Sequence, residues 1–148
     1  VTTTLANQLG LYVVMYSPLQ MAADLPKNYM RFPDAFQFIK DVALDWDKSI
    51  YLEAEPGEYV TIARKEKGTD NWFVGNSNGY DKREALVDFK FLDKNRKYTA
   101  TIYRDSKDAD YAKNPQSYKI EKIEVSSKSK IKIPTVAAGG FAISILPN

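Results

Sequence analysis

The sequence predicts a mainly β protein, an antiparallel β-sandwich of about eight strands preceded by an N-terminal helical segment. Up to about residue 45, apolar residues recur with the spacing of a helix, and beyond that point they alternate with a period of two. Gly, Pro, Asn and Asp separate the alternating runs at short intervals, which is typical of antiparallel sandwiches. We therefore expect a helical region over residues 1–45 and a β domain over 46–148.

The first predicted element is a helix over residues 4–25 that is apolar on two sides. One stripe at helical spacing consists of Leu5, Leu9, Tyr12, Val13 and Tyr16. The opposite side carries Leu11, Val14, Met15 and Leu19. Ser17-Pro18 predicts a kink or a restart, because proline lacks the backbone donor and fits a first helical turn. A helix that is apolar on both sides is normally buried on both sides.

A second, short helix is predicted over residues 33–42. Pro33 suits the first helical position, and Asp34 favours the positive end of the helix dipole. The expected inner face consists of Phe36, Ile39 and Val42.

Eight strands follow in the prediction. They are expected over residues 50–55, 59–65, 72–75, 85–91, 98–104, 118–125, 131–133 and 141–146. Residues 76–79 are expected to form a loop. Within 118–125 the apolar parity changes after Ile120, which indicates a β-bulge near Glu121–Lys122. The side chains expected between the two sheets are Leu52, Val60, Ile62, Val87, Phe89, Ile102, Ile120, Phe141, Ile143 and Ile145.

Composition excludes several classes of site. The 148 residues include 21 basic and 19 acidic ones, so the net charge of +2 gives no electrostatic case for nucleic-acid binding. The chain has no Cys and no His, which excludes disulfides, Ser-His-Asp and Cys-His catalysis, and zinc sites of the usual kind within it. Asn7, Gln8 and Gln20 make the opening stretch too polar for a membrane span.

Three acidic residues in the loop after the fifth strand are candidate calcium ligands: Asp105, Asp108 and Asp110. Calcium takes several oxygen ligands, often from one loop. The EF-hand pattern fails here, because its sixth and twelfth positions would hold Asp110 and Gln116. Asp is also frequent in loops because it forms Asx-turns, and this is the simpler interpretation.

Two other groups of residues are candidates for a functional role. Glycoside hydrolysis needs two carboxyl groups on either side of one bond, and Glu53, Glu55 and Glu58 cluster around one predicted turn. We interpret them as solvated turn residues. Trp72 is a possible sugar contact, since a flat aromatic ring can stack on a sugar. Trp72 and Val74 are two residues apart and therefore share one face of the predicted strand, which favours a place in the core instead.

A series of segments, in order along the chain, resembles one known family. They are LYVVMYSPLQMAADLP (11–26), PDAFQFIKDV (33–42), DWDKS (45–49), GEYVTIARK (57–65), WFVG (72–75), TIYRDSKDADY (101–111) and AAGGFAI (137–143). Together they resemble the C-terminal end of glycoside hydrolase family 97, which contains α-glucosidases and α-galactosidases.

The resemblance implies a longer parent enzyme with an N-terminal β-sandwich, a catalytic (β/α)₈ barrel and a C-terminal β domain used for oligomerisation. Residues 4–25 would be an outer-ring helix of that barrel. The catalytic carboxylates and a calcium ion would lie in the barrel, upstream of Val1, so no catalytic, cofactor-binding or metal residue is carried over to this chain. The resemblance also implies a periplasmic or secreted location.

We therefore predict a non-catalytic C-terminal region that packs against its own barrel and forms homo-oligomers. Because the β domain can cover only one side of the first helix, Leu9, Tyr12, Val13 and Tyr16 are the expected contacts with a second copy. One alternative is a carbohydrate-binding module for α-glucans, which requires a line of exposed aromatic rings. Another is an independent enzyme, which requires a pocket with a close pair of carboxylates.

Overall fold

The computed structural model describes residues 3–15, 31–43 and 45–148. The described residues form two helices, α1 (Leu5–Val14) and α2 (Pro33–Asp41), and eight strands. The strands are β1 (Trp46–Glu55), β2 (Tyr59–Glu66), β3 (Trp72–Asn78), β4 (Arg83–Asp88), β5 (Tyr98–Asp105), β6 (Tyr118–Val125), β7 (Lys130–Thr135) and β8 (Gly140–Pro147). Each of the eight predicted strands is therefore present.

The strands form two antiparallel sheets of unequal size. Six of them pair in the order β1-β2-β3-β8-β5-β6, and β4 pairs with β7 in a two-stranded sheet. The last strand of the chain, β8, lies in the middle of the large sheet. The predicted fold class, a β-rich antiparallel sandwich after a helical segment, is confirmed.

The first core cluster lies between the two sheets. The small sheet contributes Ala85, Val87 and Ile133, and the large sheet contributes residues such as Val74 and Ile143. Of the side chains predicted between the sheets, five are fully buried there and one is 3 % exposed; these are Val87, Phe89, Phe141, Ile143, Ile145 and Ile102. Burial of such large apolar side chains is the dominant favourable term in folding.

A second core cluster lies on the opposite face of the large sheet, under the two helices. It joins Leu9 and Val13 of α1 and Phe38 of α2 to side chains of the sheet such as Phe73 and Tyr103. The middle of the large sheet is therefore buried on both faces, and the described residues form three layers: helices, large sheet and small sheet.

Two residues predicted between the sheets lie on the other face. Ile62 is buried and Ile120 partly buried in the cluster under the helices. Leu52 packs partly buried against the cluster between the sheets, and Val60 is half-buried. The prediction placed Ile62 and Ile120 on the wrong face because it assumed that the large sheet has only one buried face.

The predicted bulge near Glu121–Lys122 is wrong. β6 pairs with β5 in continuous register, with Ile120 opposite Tyr103 and Ile123 opposite Ala100. The parity of the apolar residues changes because Ile120 faces the helices while Ile123 faces the small sheet. Register shifts occur in β1 instead, between Trp46 and Lys48 and between Tyr51 and Glu53. Such irregularities are common in edge strands.

The ends of several elements also differ from prediction. α1 begins after Thr4, whose side chain accepts a hydrogen bond from the Asn7 backbone N–H, as is usual at an N-cap. It ends at Val14, because Met15 is already extended. The predicted continuation to residue 25 and the kink at Ser17-Pro18 lie outside the described residues. β3 continues to Asn78 through the predicted loop.

α2 forms at its predicted place, but its inner face differs from the prediction. Ala35 and Phe38 are fully buried, whereas Phe36 and Ile39 are only partly buried and Val42 is buried.

Pro33 occupies the first turn of α2, Asp34 lies at the N-terminal end and Lys40 in the last turn, where each charge complements the helix dipole. No helix in the described part of the chain has the length and apolar character that a bilayer span requires.

Candidate functional site

Several buried polar side chains and two glycines form the contact between α1 and the large sheet. The helix approaches the sheet very closely at glycine positions. A Cβ atom on Gly10 would lie 2.4 Å from the backbone oxygen of Asn76, and one on Gly75 would lie 2.3 Å from the backbone oxygen of Gly10. Both distances are far below van der Waals contact, so only glycine permits this approach.

The N-terminal end of α1 meets a buried carboxylate. Asp105, which is 4 % exposed, accepts hydrogen bonds from the Thr4 hydroxyl at 2.6 Å and from the Gly140 backbone N–H at 3.0 Å. Burial raises the pKa of the Asp105 carboxyl above its ordinary value, although these hydrogen bonds act in the opposite direction.

The buried amide of Asn7 continues this contact along the helix. Its Nδ2 donates to the backbone oxygens of Gly139 at 2.8 Å and Ala138 at 3.2 Å, and its Oδ1 accepts from the Ser77 hydroxyl at 3.0 Å. Asn7 is fully buried, and a buried amide is stable only when it is hydrogen-bonded in this way.

The C-terminal end of α1 is held by Arg64 of β2. The guanidinium donates to the backbone oxygen of Val13 at 2.7 Å and of Val14 at 3.0 Å, and also to the Ser49 hydroxyl at 2.7 Å. The last carbonyls of a helix have no partner within it, so Arg64 satisfies two of them. The Arg64 charge lies at the end of α1 where a cation complements the helix dipole, and the Asp105 carboxyl lies at the opposite end.

The predicted contacts with a second copy require a correction. Leu9 and Val13 are fully buried and Tyr12 is 2 % exposed, all in the cluster between α1 and the large sheet. They are covered within one chain, because the sheet packs on the stripe that we expected to remain open. Tyr16 lies outside the described residues. The less buried side of α1 is the opposite one, where Leu11 and Val14 are half-buried and Met15 is half-exposed.

Trp72 is part of the core and has no surface for a sugar. It is 5 % exposed and its ring lies 4.7 Å from that of Phe91, centroid to centroid. The most exposed aromatic side chains of the described part, Tyr51 and Tyr80, lie on β1 and in the loop after β3.

The three candidate calcium ligands serve separate local structures. Asp105 faces α1, as described above. Asp108 accepts hydrogen bonds from Ser106 and Ser117, which lower the pKa of its carboxyl. Asp110 accepts from the backbone N–H groups of Ala112 and Lys113, as in an Asx-turn. Within the described ranges, no group of three or more Asp and Glu residues is arranged to hold a metal ion, so these three residues do not come together as one calcium site.

The three clustered glutamates have different surroundings. Glu53 pairs with Arg83 at 3.1 Å and also accepts from the Leu86 backbone N–H. Glu55 and Glu58 are exposed at the β1–β2 turn, on the rim of an open cleft of about 390 Å³. The Glu53–Arg83 pair ties the two sheets together.

Three residues that hold α1 were not predicted from the sequence, namely Asn7, Gly10 and Arg64. A signal was present, since Asn7 and Gly10 lie within a mostly apolar helix and Arg64 follows two apolar residues in β2. Their partners are distant in sequence, and Arg64 lies 50 residues from Val14.

With this geometry established, comparison with known proteins identifies the family. The model of the family described as glycosyl-hydrolase 97 C-terminal, oligomerisation matches residues 45–146, more than half of the chain. The chain belongs to this family. α1 and α2 precede the matched residues, so the family match covers the two sheets and not the helical layer.

Two curated relatives extend across the helical region as well. A retaining alpha-galactosidase of Bacteroides thetaiotaomicron is 39% identical over 142 residues, which are 96% of this chain and 21% of the relative. A probable retaining alpha-galactosidase of Streptomyces bingchenggensis is 28% identical over 137 residues, which are 93% of this chain and 20% of the relative. The chain thus spans about a fifth of each.

Comparison with solved structures agrees with this family assignment. A glycoside hydrolase family 97 enzyme from Pseudoalteromonas sp. strain K8, in complex with acarbose, matches with a TM-score of 0.91 and 38% identity over 99% of this chain and 23% of its own. A beta-arabinopyranosidase matches with a TM-score of 0.61 at 21% identity over 81% of this chain and 18% of its own. The similarity to the beta-arabinopyranosidase shows a shared fold and nothing more.

Proposed function

We propose that this chain serves as the non-catalytic C-terminal region of a longer family 97 glycoside hydrolase, packing against the catalytic barrel and contributing to oligomerisation. The observation that carries the proposal is the combination of a family match over both sheets with relatives about five times as long.

The parent would hydrolyse α-glycosidic bonds, and its substrate would be an α-galactoside or an α-glucoside. The names of the curated relatives support the first, since both are called alpha-galactosidases. The acarbose and panose complexes of the Pseudoalteromonas enzyme are the reason to test the second. A calcium ion would be bound in the barrel, outside this chain, and the location would be periplasmic or secreted; both rest on the family resemblance.

The proposal is tested with two samples: the natural protein, with its intact mass measured, and the 148-residue chain purified alone. Each is assayed on aryl α-galactosides and aryl α-glucosides with and without calcium, and its oligomeric state is measured by light scattering. We expect a mass several times that of the chain, turnover by the natural protein, and none by the chain alone. A natural protein of 16.8 kDa, or turnover by the 148-residue chain, would overturn it.

A further inference from the structure

The strand β6 forms one outer edge of the large sheet, with β5 on its inner side. Its pairing with β5 is continuous over all eight residues, and its sequence YKIEKIEV contains neither proline nor glycine. In the described part of the chain, no strand pairs with its outer side. An edge of this kind is a template for pairing with another chain.

The other three edge strands among the described residues carry features that oppose such pairing. β1 has two register shifts relative to β2. β7 contains Pro134, and its two lysines, Lys130 and Lys132, are not balanced by any acidic residue. On β4, the backbone N–H of Leu86 already donates to the Glu53 carboxylate. β6 is therefore the edge best suited to accept a further strand.

The charges along β6 alternate in a way that suits a second copy of the same strand. Two copies related by a two-fold axis perpendicular to the sheet pair antiparallel, and one residue then lies opposite its own copy. If this residue is Ile120, Lys119 of each copy lies opposite Glu121 of the other, so the pair occurs twice. Opposite charges in this cross-strand position stabilise a sheet.

The next positions in this register are also complementary. Tyr118 and Lys122 lie two steps from Ile120, so each ammonium group would lie opposite a tyrosine of the other copy. Tyr118 and Ile120 belong to the cluster under the helices, whereas Lys119 and Glu121 alternate with them and point to the opposite face. Both faces of a joined sheet would therefore carry matched pairs.

The neighbouring registers are less favourable. A centre at Glu121 or Lys122 would place that charge opposite its own copy, which destabilises a strand pair. A centre at Ile123 would keep one type of charge pair but would place Glu121 opposite the buried Val125. The sequence of β6 therefore favours the register centred on Ile120.

The two charged side chains can make this contact without losing a strong one. The Lys119 side chain is 60 % exposed, and its Nζ lies 3.9 Å from Oε2 of Glu121 in the same strand. The other carboxylate oxygen of Glu121 accepts a hydrogen bond from Arg104 at 3.1 Å. Long surface ion pairs such as the one between Lys119 and Glu121 contribute little to stability, so Lys119 is free to pair with a second copy.

We infer that two copies of this chain associate through β6, antiparallel and centred on Ile120, so that their large sheets become one. This rests on the proposed function, which assigns oligomerisation to this region, and the family is described as an oligomerisation one. Because each copy covers the edge of the other, the association through this edge closes at a dimer.

The first test uses the natural protein and the single variants Lys119→Glu and Glu121→Lys. Each variant alone places like charges opposite each other twice, whereas an equimolar mixture of the two forms a heterodimer in which both pairs are again opposite in charge. Lys132→Glu is the matched control, because Lys132 lies on the edge strand β7 with a side chain that is 70 % exposed. Sedimentation equilibrium gives the dissociation constant of each dimer.

We expect each single variant to raise the dissociation constant of the dimer at least about tenfold, and the mixture to return to within about threefold of the wild type. The control should not change it. An oligomer that neither variant weakens, or a mixture that does not recover, would overturn the inference and leave the proposed function standing. A natural protein that is monomeric throughout would overturn both the inference and the oligomerisation part of the proposed function.

A second test, independent of charge, uses the absence of cysteine from these 148 residues. The Cα atoms of the two copies of residue 120 would lie about 4.5–5.5 Å apart, within the range of a disulfide. Ile120→Cys in the natural protein should therefore form a covalent dimer on mild oxidation, with the unmodified protein as the blank. In Ile123→Cys the two cysteines would lie about 20 Å apart and should not link. Linking of Ile123→Cys instead, or of neither variant, would overturn the proposed register.

Discussion

At the residue scale, the most informative side chain is the buried carboxylate of Asp105. Its pKa is raised because burial disfavours the charged form more than the hydrogen bonds from Thr4, Gly140 and Val136 favour it. The native state therefore holds its proton to a higher pH than the unfolded chain does. Asp105 therefore contributes to the stability of the fold at low pH. This contribution is lost as the pH rises from the ordinary pKa of 3.8 through the raised native pKa.

We predict that Asp105→Asn removes this pH-dependent loss. The amide keeps one oxygen as an acceptor and cannot ionise, so the free energy of unfolding of the variant should rise relative to that of the wild type as pH increases above about 4. Urea unfolding of both proteins between pH 4.5 and 8 measures the difference. If the difference in free energy of unfolding between variant and wild type is constant over this pH range, Asp105 does not titrate there.

Phe89 tests the packing between the two sheets. It is fully buried in the cluster between them, and Phe89→Ala should lower the free energy of unfolding by about 3–5 kcal/mol, because it removes buried surface and leaves a cavity. Leu86→Ala, on the exposed side of β4, is the control and should cost less than about 1 kcal/mol. Urea unfolding that gave equal costs for the two would contradict the assignment of faces.

At the element scale, α1 depends on how closely its backbone approaches the sheet. Gly10→Ala would improve helix propensity by about 1 kcal/mol in an isolated helix. Here its Cβ would meet the backbone oxygens of Asn76 and Phe141 at 2.4 and 2.6 Å, and backbone atoms cannot rotate away. We therefore predict a net loss of about 1–3 kcal/mol. Thermal or urea unfolding gives the sign, and any stabilisation would contradict the observed contact.

Arg64 tests the other attachment of α1. Arg64→Met keeps much of the apolar stem and removes the donors to Val13 and Val14. Since each hydrogen bond to a charged group contributes about 1.5–3 kcal/mol, we expect a loss of that order or larger, together with faster amide hydrogen exchange in α1. Arg96→Met is the matched control, because Arg96 pairs with Asp70 at the surface. Unchanged exchange in α1 would mean that Arg64 does not hold the helix.

At the scale of the whole molecule, the division into residues 1–45 and 46–148 remains a prediction that dissection can test. Removing residues 1–44 would expose Ile62, Phe73 and Tyr103, which are buried under the helices. We predict that the shorter chain aggregates or binds a hydrophobic dye, although it retains every residue matched by the family model. If it unfolds cooperatively with the urea midpoint of the full chain, the helical layer is dispensable and the predicted boundary is right.

The sequence alone determined the number and approximate position of the strands. Each is short, alternates in hydrophobicity and is bounded by turn residues, so the information is local. The helix at Pro33–Asp41 was predictable for the same reason. The family resemblance came from segments spread along the chain, and the family match agrees with it.

Only the tertiary structure decided which faces are covered, and by what. Periodicity identifies residues that share a face, but it cannot show that Ile120 and Ile123 are buried on opposite faces of one sheet. It also cannot show that the stripe containing Leu9 and Val13 would be the covered side of α1. Burial depends on partners far away in the chain, as when Arg64 reaches Val14, and no local pattern encodes such partners.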